Sequence, residues 1–386
     1  MKKRVALLVG SPAPWDPRFE RMAASPKYET KVFYCRRMQA DQQWQMRATS
    51  YPASFLSNWA PPSWHRFPLI SDINPGIWRA FTHFRPGVVV VHGFATVTCL
   101  LAIFWARCHH VPFLLRGDSN FLDEADPSRS RNGLRRWYLR WLVRHAAACL
   151  SIGKLNHRFW MSYGAEPKKI SFVPIGVDTD YFRERAEPWR ARRKEIRSEN
   201  GWTHSYLVLY VGRLVRPKRV DVLIEAMRSL EQARKDIALL IVGDGIEHQQ
   251  LAEQAKGLKN VHFLGFRDRP DLPQYYAIAD VFVIPSEIEP WGMVVVEALA
   301  CGLPVIATRK VGAAWDLIQE GKNGYVVPEN DAAALAVAID RACQSDRAAL
   351  GEKESRELVA DWGIDSYVRG LHSALDYCLP DSAASR

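Results

Sequence analysis

Arg213 and Lys218 stand five residues apart just after an apolar run, Tyr206–Val211, that is followed by Gly212. A glycine lets a ligand approach the backbone, a guanidinium can fork two phosphate oxygens, and an ammonium adds a point charge, so the trio suits a diphosphate. Taken alone, the stretch is equally an ordinary strand-to-helix turn with solvated cations. Further on, Gly243-Asp244-Gly245 follows Ala238–Val242, and the carboxyl end of a parallel strand is where α/β proteins open a ligand crevice. Phe266 and Arg267, just after Val261–Leu264, sit where a flat base could rest against a ring or backbone.

Two acids complete the set. A strand ends at Ile284, a loop carries Glu289 and Trp291, and Gly292 opens a helix containing Glu297. The backbone N–H groups of Gly292, Met293 and Val294 have no partner within that helix, so its tip can receive an anion or a hydroxyl. Glu297 lies about a turn and a half further on, roughly 7 Å along the axis. Its carboxylate can accept two hydrogen bonds from a ribose diol, and Glu289 can do the same for sugar hydroxyls. The alternative keeps Glu297 as a structural acid. An acid in so apolar a helix needs a partner, which points to a ligand or a buried arginine.

Short, β-branched apolar runs alternate with helical patterns and must hold these residues in place. In the first half the runs are Val5–Val9, Lys31–Cys35, Val88–Val91, Pro112–Leu115, Ala148–Ser151 and Ile170–Val173. In the second they are Tyr206–Val211, Ala238–Val242, Val261–Leu264, Val281–Ile284, Pro304–Ala307 and Tyr325–Val327. Continuous apolarity marks strands buried on both faces, and intervening helices imply parallel sheets with right-handed crossovers. The expected fold is α/β, with two doubly wound Rossmann-like domains facing a cleft. Boundaries are expected at 1–183 for an acceptor-side domain, 184–204 for a charged linker and 205–363 for a nucleotide-binding domain. A helix and tail over 364–386 are expected to pack back toward the first domain. Gln39–Phe84, aromatic and Pro-rich, yields no regular structure.

The chain has 386 residues and 48% hydrophobic content, a globular composition long enough for two domains. Seven cysteines without a CxxC pair argue against a disulfide framework or structural zinc, and fit a reducing cytoplasm. The opening MKKRVALLVG mimics a signal peptide, but Ser11-Pro12 breaks its short apolar run, which reads as a strand. Gly87–Ala106 could span a bilayer by length, yet His92-Gly93 interrupts it as a strand–turn–helix would. Charge is uneven. Residues 1–183 hold 26 Lys+Arg against 12 Asp+Glu, whereas the remainder holds 26 against 30. The basic half is expected to meet something anionic. Within it, Arg136, Arg140 and Arg144 recur beside Trp137 and Trp141, so Arg129–Arg144 reads either as a contact with an anionic membrane surface or as a helix with a Trp face in the core. No nucleic-acid motif is present, and none is expected to bind.

The order Gly212-Arg213-Leu214 and Lys218, Val242-Gly243-Asp244-Gly245, Glu289-x7-Glu297, Glu297–Thr308, Gly312 and Asn323-Gly324 resembles the retaining glycosyltransferases of family 4, which have the GT-B fold. The resemblance covers nearly all of Tyr206–Val327. Upstream, Pro174–Phe182 is similar to the family's interdomain segment, with Ile175 where Asn is usual. The resemblance implies that Arg213 and Lys218 hold the donor diphosphate, Glu297 the donor ribose and Glu289 the sugar near its reacting face. It also implies that the amides of Gly292–Val294 support sugar hydroxyls or phosphate. Transfer would retain configuration without a metal or other cofactor, from a nucleotide-diphosphate sugar to a glycan or lipid-linked acceptor. The setting would be the cytoplasm, or the inner face of its membrane.

The first half departs from the family pattern. Where many members have a Gly-Gly loop and a His-Asp pair, this chain has Gly10–Phe19 and Leu115-Arg116-Gly117-Asp118. Asp118, Arg116, His92, Trp15 and Asp16 are therefore the acceptor-side candidates, with Asp118 alternatively capping a turn. Two other classes stay in view. One is a non-catalytic GT-B protein that binds only a nucleotide or a partner. The other is a dinucleotide-dependent oxidoreductase, against which Gly10-Ser11-Pro12 stands in place of GxGxxG.

Overall fold

The computed structural model describes residues 2–12, 16–37, 49–61, 63–64, 67–124, 133–231, 233–344 and 352–379. The chain divides into two compact units, Met1–Gly176 with Ile364–Arg386, and Val177–Gly363.

The first unit holds a parallel seven-stranded sheet. Its strands are β1 Lys3–Val9, β2 Tyr28–Tyr34, β3 Ala53–Phe55, β4 Val88–His92, β5 Phe113–Arg116, β6 Ala148–Ser151 and β7 Ile170–Phe172, in the order β3-β2-β1-β4-β5-β6-β7. Successive strand residues point to opposite faces, and both faces are covered. Ala6, Leu8, Val89, Val91, Phe113 and Leu115 pack against helices Ile77–Phe84, Val97–Cys108, Gly133–His145 and Lys154–Ser162. Val5, Leu7, Val88, Val90 and Leu114 pack against helices Pro17–Ala23 and Ile364–Cys378. The latter, far along the chain, is locked in place. Tyr28 donates to Asp376, Lys27 pairs with it at 2.5 Å, and Tyr367, Leu371 and Leu375 are fully buried.

The second unit has a parallel six-stranded sheet. Its strands are β8 Tyr206–Val211, β9 Ile237–Val242, β10 Val261–Gly265, β11 Val281–Ile284, β12 Val305–Thr308 and β13 Gly324–Val327, in the order β10-β9-β8-β11-β12-β13. Both sheets therefore reverse direction next to their first strand, between β1 and β4 and between β8 and β11. Crevices form at the carboxyl ends of such strand pairs.

Three expectations are corrected. Gln39–Phe84 contains β3 and helix Ile77–Phe84. The division falls at Gly176/Val177 and not after 183. Finally, 184–204 is not a linker but is mostly helical, with helices Thr179–Ala191 and Arg193–Glu199 belonging to the second unit. Within it Arg193 and Arg197 both grip Asp280 and the carbonyl of Ile278. The Gly87–Ala106 segment is strand β4 followed by a loop and a helix, and among the described residues no helix is long and apolar enough to cross a membrane.

Candidate active site

In the second unit the loops after β8, β9 and β11 are threaded through one another by backbone contacts. Gly212 N–H donates to Val242 O at 3.0 Å, Leu214 N–H to Asp244 O at 2.9 Å and Glu247 N–H to Leu214 O at 3.1 Å. The approach is so close that only glycine fits. A Cβ on Gly243, whose φ is +143°, would lie 1.9 Å from the Gly212 carbonyl oxygen, and one on Gly245 would lie 2.2 Å from that of Leu214. Asp244 turns its carboxylate onto the Gly245 amide at 2.8 Å, so it stiffens the loop. The β11 loop joins through Glu287 N–H, which donates to Pro217 O at 2.9 Å.

This threading brings Lys218 onto Glu289. The two form an ion pair between the loops after β8 and β11, with side chains only 20% and 13% exposed. A sequence cannot reveal that pairing, because 71 positions separate the partners. Arg213 is exposed beside them, and its carbonyl accepts from Tyr210 at 2.9 Å. Burial raises the Tyr210 phenol's pKa; Glu289 pushes it further up and Arg213 pulls it down, so both charges face this ring.

Gly292 caps helix Met293–Ala300 at φ +96°, a left-handed conformation that a side chain disfavours. Met293 is exposed and Val294 half-buried at the helix tip. One and a half turns on, Glu297 accepts from the Tyr276 hydroxyl at 2.9 Å. The acid's partner is thus a tyrosine from helix Leu272–Ile278, which the sequence did not disclose. Arg269 acts on it through charge. Trp291 is buried against Trp362, ring centroids 4.7 Å apart, with its indole N–H unbonded. Arg267 donates to Tyr275 at 2.9 Å, and Phe266 is part-exposed beside it. Arg219, overlooked in the sequence, ties Asp221, Glu287 and Asn330 together and braces the β11 loop. Among the described residues no group of three or more His, Cys, Asp or Glu could hold a metal ion.

Burial raises the Glu297 pKa above its ordinary 4.5, while the Tyr276 bond and Arg269 pull it back. The folded state therefore holds this proton more tightly than the unfolded one. The resulting stability is full below the unfolded pKa and declines as pH rises through the window above it. Tyr276→Phe removes a hydrogen bond to the ionised form, so the decline should deepen by about 1–2 kcal/mol and extend to higher pH. Urea midpoints between about pH 4 and pH 8 would check this; a pH-independent loss would reduce the phenol to packing.

In the first unit, the candidates gather where β1, β4 and β5 end. Asp16, nearly buried, takes Arg18 in a two-point pair at 2.8 and 2.7 Å. Arg116 is buried and donates to the carbonyls of Val173 and Pro174 at 2.8 and 2.9 Å, its pKa pushed down to about 10 by burial. Both residues brace the fold, and neither offers the open head group that an acceptor contact needs. Tyr367 lies between the two guanidiniums, 5.7 Å from Arg18 and 5.1 Å from Arg116. His92 keeps a buried Nε2 without a hydrogen bond, and burial, aided by Arg116 and Arg18, holds its pKa well below the usual imidazole value. Asp118 is exposed. The cap in its turn comes from Asn120, whose Oδ1 accepts from Leu122 N–H at 2.9 Å. Trp15 and Arg129 lie outside the described residues. On helix Gly133–His145 the core face is Leu139, Leu142 and Val143, while Trp137 and Trp141 are exposed, which overturns the reading of a buried Trp face.

The sequence and the fold have known counterparts. The family model for glycosyl transferases group 1 matches residues 192–357, and that for a glycosyl transferase 4-like domain matches 19–176. Sulfoquinovosyl transferase SQD2 of Arabidopsis thaliana is 29% identical over 77% of this chain and 56% of its own length. The GDP-mannose-dependent alpha-(1-6)-phosphatidylinositol monomannoside mannosyltransferase of Mycobacterium tuberculosis is 35% identical over 59% of this chain and 60% of its own. The chain thus spans less than two thirds of either relative. Among solved structures, Anabaena HepE with UDP and glucose superposes with TM-score 0.71 at 18% identity, covering 97% of this chain and 99% of that one. Sucrose-phosphate synthase from Thermosynechococcus elongatus gives 0.73 at 20%, covering 97% and 98%. Two family models that fall one on each unit, and fold neighbours that run the whole length of both, lead to one conclusion: the chain belongs to the group 1 glycosyltransferases and has their GT-B fold.

Proposed function

We propose that the chain transfers a sugar from a nucleotide-diphosphate donor to a glycan or lipid-linked acceptor, with retention of configuration and without a metal. The observation that carries this reading is the Lys218–Glu289 pair at the switch point of the second sheet, beside Arg213 and a glycine cradle. The cradle offers backbone room for a diphosphate, and the two cations take the charge that builds on it as the sugar leaves. Glu289 then meets the sugar's hydroxyls and Glu297 the ribose. Two relatives support the substrate classes by their names: one uses GDP-mannose and acts on a phosphatidylinositol mannoside, the other transfers sulfoquinovose. On the first unit, His92 and Asp118 remain for the acceptor, since Arg116 and Asp16 are committed elsewhere. The reaction would take place in the cytoplasm, at the inner membrane face when the acceptor carries a lipid.

A melting-temperature screen against UDP-, GDP- and ADP-sugars is the test. One donor should raise the transition by mass action and then release its nucleoside diphosphate when acceptor is added. Binding without release, for any donor and acceptor, would leave the non-catalytic reading.

A further inference from the structure

The four helices over one face of the first sheet, Ile77–Phe84, Val97–Cys108, Gly133–His145 and Lys154–Ser162, carry eight Lys or Arg and no Asp or Glu. The helices on the opposite face carry Glu20, Asp365 and Asp376. Arg18, Arg21 and Arg369 balance those acids, whereas the four-helix face stays strongly positive even with Asp123 and Glu124 of the short helix Phe121–Glu124, which packs on Lys154–Ser162. Large rings stand outward in the same layer: Trp78, Phe104, Trp137 and Trp141 are 38%, 60%, 67% and 37% exposed. Arg136, Arg140 and Arg144 are exposed between and beside the last two. A shallow groove lined by Arg4, Trp78, Arg79, His83 and Arg85 borders the first helix.

A polyanion in water would use the guanidiniums and leave the rings solvated. A bilayer interface takes both, since indoles favour the head-group level and arginines reach the lipid phosphates. We propose that this basic, aromatic helix layer is a docking face for an anionic phospholipid bilayer. The proposal deepens the reading of a lipid-linked acceptor and rests on it only for the purpose of the contact, because vesicle binding needs no transfer chemistry.

The test is co-sedimentation of the full chain with vesicles of phosphatidylcholine alone or mixed with phosphatidylglycerol. Binding should require phosphatidylglycerol and fall with added salt. The triple variant Arg136→Ala/Arg140→Ala/Arg144→Ala should weaken it roughly 100-fold. Trp137→Ser/Trp141→Ser should weaken it while leaving the salt dependence in place. All five side chains are exposed and outside the donor site, so melting temperature and donor binding should not change; these readouts separate a failed fold or failed donor site from a failed docking face. Equal binding to neutral vesicles, or unchanged binding by both variants, would overturn the proposal. So would variant-sensitive binding to duplex DNA with none to vesicles, which would assign the face to nucleic acid.

Discussion

Glu289→Ala should lower sugar transfer by about 10²–10³-fold, a larger effect than its loss of stability accounts for. The carboxylate is held by Lys218 at the mouth of two adjacent strands, so its position is set before any substrate arrives. On the proposed reading, a fixed negative charge near the anomeric carbon would favour the positive charge that develops there as the diphosphate departs. The pair also offsets the repulsion between the Lys218 and Arg213 cations, a task that an incoming diphosphate can take over. Removing the acid leaves the Lys218 ammonium, only 20% exposed, without its partner, so a stability loss of about 1–3 kcal/mol should accompany the loss of transfer. Glu289→Gln keeps shape and hydrogen-bonding reach without charge. It should bind donor within a few-fold of the parent yet transfer slowly, which separates electrostatics from positioning. Transfer at the parental rate by Glu289→Ala would remove the central residue of the proposed site.

Gly243→Ala should be among the most damaging single methyl groups that can be added to this chain. Its φ of +143° lies where side chains strain the backbone, and the new carbon would sit 1.9 Å from the Gly212 carbonyl oxygen. No rotamer can relieve a clash with backbone. Gly212 N–H is bonded to Val242 O and Gly243 N–H to Gly265 O, so neither loop can withdraw without breaking a ladder end. A cost of about 3–5 kcal/mol follows, which in a unit of this size lowers the melting temperature by about 10 °C or more. Donor affinity should fall with it, since the same displacement fills the cradle. Gly133→Ala, at a site with nothing within 4 Å and no positive φ, provides the control and should be close to neutral. Calorimetry of the two variants side by side would decide the matter; equal transitions would mean that the loops are far looser than their contacts.

Strands were the most readable part of the sequence, because buried parallel strands announce themselves as unbroken apolar runs such as Tyr206–Val211 and Val281–Ile284. The four charged residues proposed for the donor site stand out by type and spacing, and the fold brings two of them, Lys218 and Glu289, together. What was hidden is everything that depends on contacts between distant positions. Tyr276 as the partner of Glu297, Lys218 on Glu289 and Arg116 on the carbonyls beyond β7 have no local signature. Helix Gly133–His145 was ambiguous for another reason. It carries two apolar stripes, one of Leu139, Leu142 and Val143 and one of Trp137 and Trp141, and periodicity cannot say which one a sheet will cover. Likewise 184–204 reads as a linker because it is charged and contains Pro188, whereas Arg193 and Arg197 within it are fastened to Asp280.

Helix Ile364–Cys378 has a consequence for synthesis. Tyr367, Leu371, Ala374 and Leu375 cover strand residues that leave the ribosome more than three hundred positions earlier, Val5 and Leu7 among them. The second unit, by contrast, is one continuous stretch that requires none of that helix. Domains usually mature from the amino terminus onward. Here the order of completion is inverted: the later-encoded body closes first, and the earlier one waits with an apolar flank uncovered until its lid is translated. Nascent chains arrested before Ile364 are thus the form of this protein most in need of a chaperone.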